Sequence, residues 1–350
     1  MDKIICGLCS FGMSGRVFHG PLLDAHPEFV LKAVLERTKN EASKFYPDIK
    51  TYRNFEDLLN DKEINLLLVN VPDHLHHSFC KQALEAGKHL VVEKPFTTTV
   101  KEGLEIIELA GKKNLNVFVY QNRRWDSDFL TIKKVLESGQ LGRVVEFEAH
   151  YDRFRPNPPK GTWKEDEKLG PGLLYNLGAH LIDQVLVLFG QPKGIYAEIR
   201  KLRKNTGIVD YFNINLYYPE MTATLKSSYL VKEAPAKYII HGDKGSFIKS
   251  GADPQEERLN KGWKADNPDI GLEPKEDWGR VYTEFTDAEG ELIESPRGNY
   301  MRFYDGVFEE LNGKKGTGVS ANEGLNVIRI IEAAIESDKL GKRIDLDNLQ

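Results

Sequence analysis

From residue 3 to residue 122, short apolar runs alternate with segments of helical period. "KIICGL", "FVLKAVLE", "INLLLVNV", "HLVVE" and "LNVFVYQ" are each dense in Val, Ile and Leu and bounded by polar or turn residues, which predicts five buried strands. Between them "SGRVFHGPLLDAH", "EASKFYP", "NFEDLLND", "HLHHSFCKQALEAG" and "VKEGLEIIELAGKKN" read as helices. Strict alternation of strand and helix implies right-handed crossovers, hence an α/β fold with a doubly wound parallel sheet covered on both faces.

The pattern changes after residue 122. "DFLTIKKVLESG" is one amphipathic helix closed by Gly139, and the runs that follow ("RVVEFEAHYDRF", "KGIYAEIRKLR", "DYFNINLYYP", "TATLKSSYLV", "AKYIIHGDKGSFIKS") alternate apolar and polar residues. That alternation suits an open, mostly antiparallel sheet with one buried face. "GPGLLYNLGAHLIDQVLVLFG" interrupts the strands as an apolar helix, and "ANEGLNVIRIIEAAIESDKLGKRI" is a second, with Ser320 or Asn322 as N-cap and Gly341 past its end. Residues 251–280 carry no clear period and read as a long ordered loop or surface arm, placed at a subunit contact. The expected division is a dinucleotide-binding domain over 1–122 and a substrate and oligomerisation domain over 123–350, whose last helix packs back on the first.

Composition narrows the partners. With 350 residues, 29% charged and a formal charge of −5, the chain is globular and has no basic stripe for nucleic acid or an anionic bilayer. No apolar run reaches the roughly 18 residues of a membrane helix, and the start leads directly into a strand, so the expected location is cytoplasmic. Three cysteines, Cys6, Cys9 and Cys80, make no disulfide framework, and the lone CxxC of the first two lacks the second pair of a zinc site.

The first strand ends in "CSFGMSG", which puts Ser10, Gly12 and Gly15 at the three positions of a GxGxxG turn, with Phe11 and Met13 between them. Such a turn brings backbone N–H groups to a pyrophosphate at a helix N-terminus. Glu36 stands at the end of the second strand, where an acid holds the adenosine ribose of NAD. Arg37 beside it would instead hold the 2′-phosphate of NADP, so both cofactors stay open. In "NVPDHLHHSFC", Pro72 turns the chain and His76 starts a helix facing the cofactor, while His74 and His77 fit structural roles equally well. No carboxylate or cysteine completes a metal set, and no metal is expected.

Lys94, in "HLVVEKPFTT", follows the carboxyl end of a central strand, the side on which open α/β sheets bind ligands. An ammonium beside an oxidised nicotinamide loses proton affinity to the like charge and to desolvation, and so becomes useful in proton transfer. Glu93 is placed to orient that lysine or the cofactor. In "GPGLLYNLGAHLIDQ", Asn176, His180 and Asp183 fall on one face of an otherwise apolar helix, and His180 becomes the candidate to exchange the hydroxyl proton.

Taken together, "SFGMSG", "EKP", "QNRRWDSDF" and "GPGLLYNLGAHLIDQ" resemble the Gfo/Idh/MocA oxidoreductases along nearly the whole chain. "SGRVFHGPLLD", "NRRWDSDFLTIKK", "YDRFRP" and "EGLNVIRIIEAA" are most similar to the NADP-dependent scyllo-inositol dehydrogenases of that family. The resemblance implies a Rossmann domain, a C-terminal α/β domain with an open sheet that forms dimer or tetramer contacts, and hydride exchange between NAD or NADP and a secondary hydroxyl of a sugar or cyclitol. It makes Lys94 and His180 the catalytic pair and puts Gly12, Gly15, Pro72, His76, Glu93 and Asn122 along the cofactor. Arg124, Trp125, Tyr151 and Trp163 then stand near the substrate cleft, Trp163 also toward the cofactor, and Asn176 holds a substrate hydroxyl where the family usually has Asp. Two other readings stay open: a dehydrogenase of an aldose, keto-sugar or glycoside, and a cofactor-sensing regulator without turnover.

Overall fold

In the computed structural model, which describes residues 3–158 and 172–346, the N-terminal runs form β1 (Ile4–Leu8), β2 (Phe29–Leu35), β3 (Lys50–Tyr52), β4 (Leu66–Val69), β5 (His89–Val92) and β6 (Val117–Val119). They pair in parallel in the order β3-β2-β1-β4-β5-β6. Every residue of β4 is buried, which is why it reads as an unbroken apolar run. The polar edge strand β3, only "KTY", gives no such signal and goes unseen in the sequence. Helices α1 (Gly20–Ala25), α2 (Phe55–Asn60), α3 (His76–Glu85) and α4 (Val100–Lys113) fill the crossovers. Thr99 and Glu102 start α4 with a reciprocal capping box, and Asn114 ends it at φ 54°. Strand order reverses between β1 and β4, and beyond the carboxyl ends of these two strands such sheets open their ligand crevice.

The chain continues through α5 (Ser127–Ser138), β7 (Val144–His150), α6 (Ala179–Phe189), β8 (Gly194–Arg200), β9 (Tyr211–Tyr217), β10 (Thr222–Ser228), β11 (Tyr238–Gly242), β12 (Gly245–Lys249), α7 (Gln255–Asn260), β13 (Gly279–Thr283), β14 (Glu291–Ile293), α8 (Met301–Leu311), α9 (Ala321–Leu340) and β15 (Ile344–Asp345). The sheet order is β14-β13-β12-β11-β7-β10-β9-β8-β15, antiparallel at each pairing except β7 with β10. In β9, buried Phe212, Ile214 and Leu216 alternate with half-exposed Tyr211, Asn213, Asn215 and Tyr217, the expected one-faced burial. The apolar side of α6 lies against β10, and Phe189 at its end meets Phe147 of β7 at a ring distance of 5.3 Å.

Two compact units result: Met1–Asn122 with Pro254–Ile270 and Asn299–Leu325, and Arg123–Asp253 with Gly271–Gly298 and Asn326–Gln350. The expectation of a patternless arm over 251–280 is overturned, because α7 lies within it, Pro254–Ile270 packs in the first unit, and β13 begins at Gly279. The sequence of α7, QEERLN, has a single apolar residue, Leu259, so no helical period shows. "EASKFYP" is a single 3-10 turn, Ala42–Lys44, rather than a helix, and "AKYIIHGDKGSFIKS" folds as the β11–β12 hairpin. Two helices contain a π-helical turn: Gly15–His19, leading into α1, and Leu174–Gly178, leading into α6. Each inserts one extra residue per turn, a feature enriched at functional sites.

Candidate functional site

In the first unit, Ser10 and Asn70 follow β1 and β4 on either side of the strand-order reversal. Ser10 N–H donates to Asn70 Oδ1 at 2.9 Å, Ser10 Oγ to the Asn70 carbonyl at 2.7 Å, and Asn70 Nδ2 to the Ser10 carbonyl at 2.9 Å. The serine standing for the first glycine therefore ties the turn to the crevice wall. A Cβ on Gly15 would lie 2.6 Å from the Ser10 carbonyl oxygen, whereas one on Gly12 would meet nothing nearer than Ser10 Oγ at 3.9 Å. Gly15 is required by the fold itself. Gly12 leaves an open cradle at a helix N-terminus, and that shape and polarity fit a pyrophosphate. Phe11 packs toward Phe45 and Tyr46 with ring distances of 5.8 and 6.1 Å, and Met13 is exposed.

Glu36 turns inward. Its carboxylate accepts from Glu41 N–H at 2.9 Å and Ala42 N–H at 3.1 Å, so both oxygens cap the loop that follows β2, while Arg37 is exposed. His76 is wholly buried, its Nδ1 2.9 Å from the Pro95 carbonyl and its Nε2 3.0 Å from the Val71 carbonyl. It ties the Val71-Pro72 turn to the Lys94-Pro95 turn and presents no ring nitrogen to a ligand. His77 Nε2 meets Glu105 at 2.9 Å on the outer side.

Lys94 is half-buried just beyond β5, and its bond to Pro95 is cis. The Glu93 carboxylate lies 3.0 Å from His19 Nε2 and accepts from Lys94 N–H at 3.2 Å, and His19 Nδ1 is 2.6 Å from the Tyr304 hydroxyl. Burial by itself would raise Glu93, but the His19 hydrogen bond and the charges of His19, Lys94 and His76 outweigh it and hold the carboxyl below its usual range. Cys6, Cys9 and Cys80 are buried, and burial pushes the thiols up, away from reactivity.

In the second unit, Arg124 grips Asp183 with both arms, Nε to Oδ2 at 2.8 Å and Nη2 to Oδ1 at 2.7 Å. Gln184 Nε2 donates to the Arg123 carbonyl at 3.3 Å, and Gln184 Oε1 accepts from the Tyr238 hydroxyl at 2.8 Å. These bonds fasten α6, which carries buried His180, to the turn Asn122–Trp125. Asn176 is exposed on the π turn, so the three polar residues of the predicted face differ in burial. Trp125 is half-buried, and Asn122 is buried at the end of the first unit.

Cations surround Tyr151: Arg123, Arg153 and Lys237 lie 5.4, 5.3 and 5.2 Å from its ring centre. Asp128 pairs with Lys237 behind it. Burial pushes Asp126 up to about 8, against the pull of Arg123 and with the help of Asp253 and Asp128. Trp163 lies outside the described residues. Sequence reasoning missed Asn70, His19 and Tyr304; Asn70 alone had a local signal, as the first polar residue after β4.

A doubly wound sheet with a glycine cradle at its order reversal defines a dinucleotide-binding protein. The profile of the Gfo/Idh/MocA oxidoreductase family's NAD-binding Rossmann fold matches residues 4–121, and that of its C-terminal alpha/beta domain matches residues 133–346. The chain belongs to that family. It is 39% identical, over 99% of its length and 97% of the relative's, to the scyllo-inositol 2-dehydrogenase (NADP(+)) IolW of Bacillus subtilis (strain 168). Among solved structures, the yvaA protein of Bacillus subtilis is 39% identical with a TM-score of 0.93, covering 99% of each chain. An oxidoreductase of Bacillus cereus is 32% identical with a TM-score of 0.88, covering 99% of this chain and 100% of that one. Levoglucosan dehydrogenase in complex with NADH and levoglucosan shares the fold at a TM-score of 0.80 and 20% identity, covering 99% of this chain and all of that one.

Proposed function

We propose that this chain oxidises a secondary hydroxyl of an inositol or a closely related polyol, or reduces the matching ketone, and that it prefers NADP. The substrate class rests on one observation, the near full-length likeness to a scyllo-inositol dehydrogenase, in a chain that keeps both Lys94 and His180. The cofactor preference rests on Glu36, whose two carboxylate oxygens are engaged by Glu41 and Ala42 N–H, leaving exposed Arg37 to meet a 2′-phosphate.

The bound dinucleotide supplies the hydride acceptor or donor. Lys94 donates a hydrogen bond to the oxygen of the reacting carbon and stabilises the charge that grows there. His180 takes the hydroxyl proton during oxidation and returns it during reduction. Asn176 holds a neighbouring hydroxyl but has no proton to exchange, so the acid–base work falls on His180.

Absorbance of reduced cofactor, followed with scyllo-inositol, myo-inositol and a panel of aldoses against NAD and NADP, tests both halves. The expected result is turnover of scyllo-inositol with NADP, lost by about 10²- to 10⁴-fold in Lys94→Ala and His180→Ala while cofactor binding persists. Wild-type turnover in those variants overturns the catalytic assignment. Arg37→Ala should raise the KM for NADP about tenfold or more and leave that for NAD unchanged; equal effects on both sink the NADP preference.

A glycoside or sugar substrate is the second reading, favoured by 27% identity over 212 residues (56% of this chain, 54% of the relative) to the levoglucosan dehydrogenase of Pseudarthrobacter phenanthrenivorans. A sensor without turnover is disfavoured by the presence of both Lys94 and His180. The assembly proposed is a homodimer or homotetramer formed through the open face of the nine-stranded sheet. Its half-exposed Tyr196, Tyr211 and Tyr217 support that reading, and sedimentation velocity tests it. Among the described residues, no helix is long and apolar enough to cross a membrane.

A further inference from the structure

Three side chains, distant in sequence, join end to end inside the first unit. Tyr304 of α8 meets His19 Nδ1 at 2.6 Å, His19 Nε2 meets Glu93 Oε1 at 3.0 Å, and Glu93 Oε2 accepts the Lys94 N–H at 3.2 Å. Tyr304 and His19 are fully buried, and the Glu93 side chain is 13% exposed. An ionised carboxylate only accepts, so His19 turns an Nε2–H toward Glu93, and its Nδ1 shares a hydrogen bond with the Tyr304 hydroxyl. Every polar atom along the chain is satisfied by its neighbour.

The far end is closed. Tyr304 is fully buried and packed against the rings of Phe29, Tyr120 and Phe303, at 5.5, 6.2 and 5.3 Å, so its hydroxyl does not reach the surface. A hydrogen-bonded chain without an exit cannot feed protons to a site. What it can do is fix a rotamer: with one oxygen held by His19, the other oxygen of Glu93 is aimed at the Lys94 peptide. The side chain of Lys94 starts from that peptide, and its reach to a reacting atom depends on where the peptide sits.

We propose that His19 and Tyr304 are positioning residues for Lys94, acting as a buried brace that sets the Glu93 carboxylate and through it the Lys94 backbone. The inference rests on the reading of Lys94 as a catalytic residue given under Proposed function. The sequence placed neither residue in this role: His19 lies within a helical pattern, and Tyr304 is 285 residues away in a helix absent from the sequence-based reading.

The test uses the whole chain in three variants, Tyr304→Phe, His19→Leu and His19→Gln, with melting temperature, cofactor dissociation constant, KM and kcat measured on each. Tyr304→Phe removes only the hydroxyl and should lower kcat about 3- to 10-fold, and His19→Leu about 30-fold or more, with KM and cofactor affinity within about twofold of wild type. His19→Gln, which can still donate to Glu93, should recover most of the loss. In a Lys94→Ala background the His19 and Tyr304 substitutions should have no further effect, because their route to the chemistry is gone.

The brace is overturned if kcat is unchanged in Tyr304→Phe. It is also overturned if the loss follows melting temperature or cofactor affinity instead of kcat, or if the effects multiply undiminished on Lys94→Ala. Should Lys94→Ala itself retain wild-type turnover, the catalytic reading of Lys94 falls first, an outcome distinct from failure of the brace.

Discussion

Gly12 and Gly15 share one turn and one residue type, yet their surroundings assign them different work. A methyl on Gly15 would press on the Ser10 carbonyl at 2.6 Å, and one on Gly12 would enter open space. Gly15→Ala should therefore destabilise the fold by about 1–3 kcal/mol, read by denaturant unfolding. Gly12→Val should leave the unfolding curve in place and weaken cofactor binding about tenfold or more; the opposite pattern would refute the cradle.

The Arg124–Asp183 fork ties the turn after β6 to α6. As a bidentate pair whose Asp183 is buried and whose Arg124 is half-buried, its disruption by Asp183→Ala or Arg124→Ala should each cost about 3 kcal/mol, and the double variant should cost much less than their sum. Additive losses would mean that the two side chains act separately. Lys94 and the acid beside it were legible because strand ends in a doubly wound sheet announce the ligand side. The partners of Glu93 were not, since no local pattern links a residue of the first helix to one near the C-terminus. The inward turn of Glu36 was equally hidden, because backbone N–H groups leave no mark in a sequence.

At the scale of elements, β2 and the edge strand β3 are joined by charge as well as by backbone. Lys32 of β2 bonds Asp61 at 2.9 Å and Tyr52 of β3 bonds the same carboxylate at 2.8 Å. Burial would raise Asp61, but the Lys32, Tyr52 and Glu63 N–H bonds prevail and hold it down at about 2. A depressed folded-state value contributes stability above the unfolded value and loses it as pH falls through the folded one. The contribution, roughly 2 kcal/mol, should thus disappear between about pH 4 and pH 2. Asp61→Asn should remove it at neutral pH and flatten that part of the acid-unfolding curve; an unchanged acid limb would show that the network is not stabilising.

The helices α4 and α9 were legible from their period and β4 from its apolar run, and the cap candidates named for α9 included Ser320. Ser320 proves to be the cap of α9, accepting from Glu323 N–H at 3.3 Å. β3 (KTY) and α7 (QEERLN) carry too few apolar residues to show a period. α8 has an apolar stripe through Phe303, Tyr304 and Val307 and was readable, but its neighbouring loops obscured it. The two π turns insert a residue without any compositional signature.

For the molecule as a whole, the decisive feature is that the chain passes from one unit to the other after Asn122, Asp253, Ile270, Gly298 and Leu325. A fragment ending at Asn122 lacks α7, α8 and the segment whose Val319 carbonyl accepts from Val119 N–H on β6 at 2.8 Å. Expressed alone, residues 1–122 should fail to give a cooperative melt, and a sharp transition with native-like near-ultraviolet dichroism would contradict this.

The same interleaving governs the order of events on the ribosome. The strand edge at β6 is finished by residues about two hundred positions further along the chain. At 5–20 residues per second that is a wait of roughly 10–40 s, during which the nascent Rossmann sheet exposes an unpaired edge and the uncovered rings of its core. The order of the chain, rather than the strength of any contact, therefore sets how long that edge stays open to other chains.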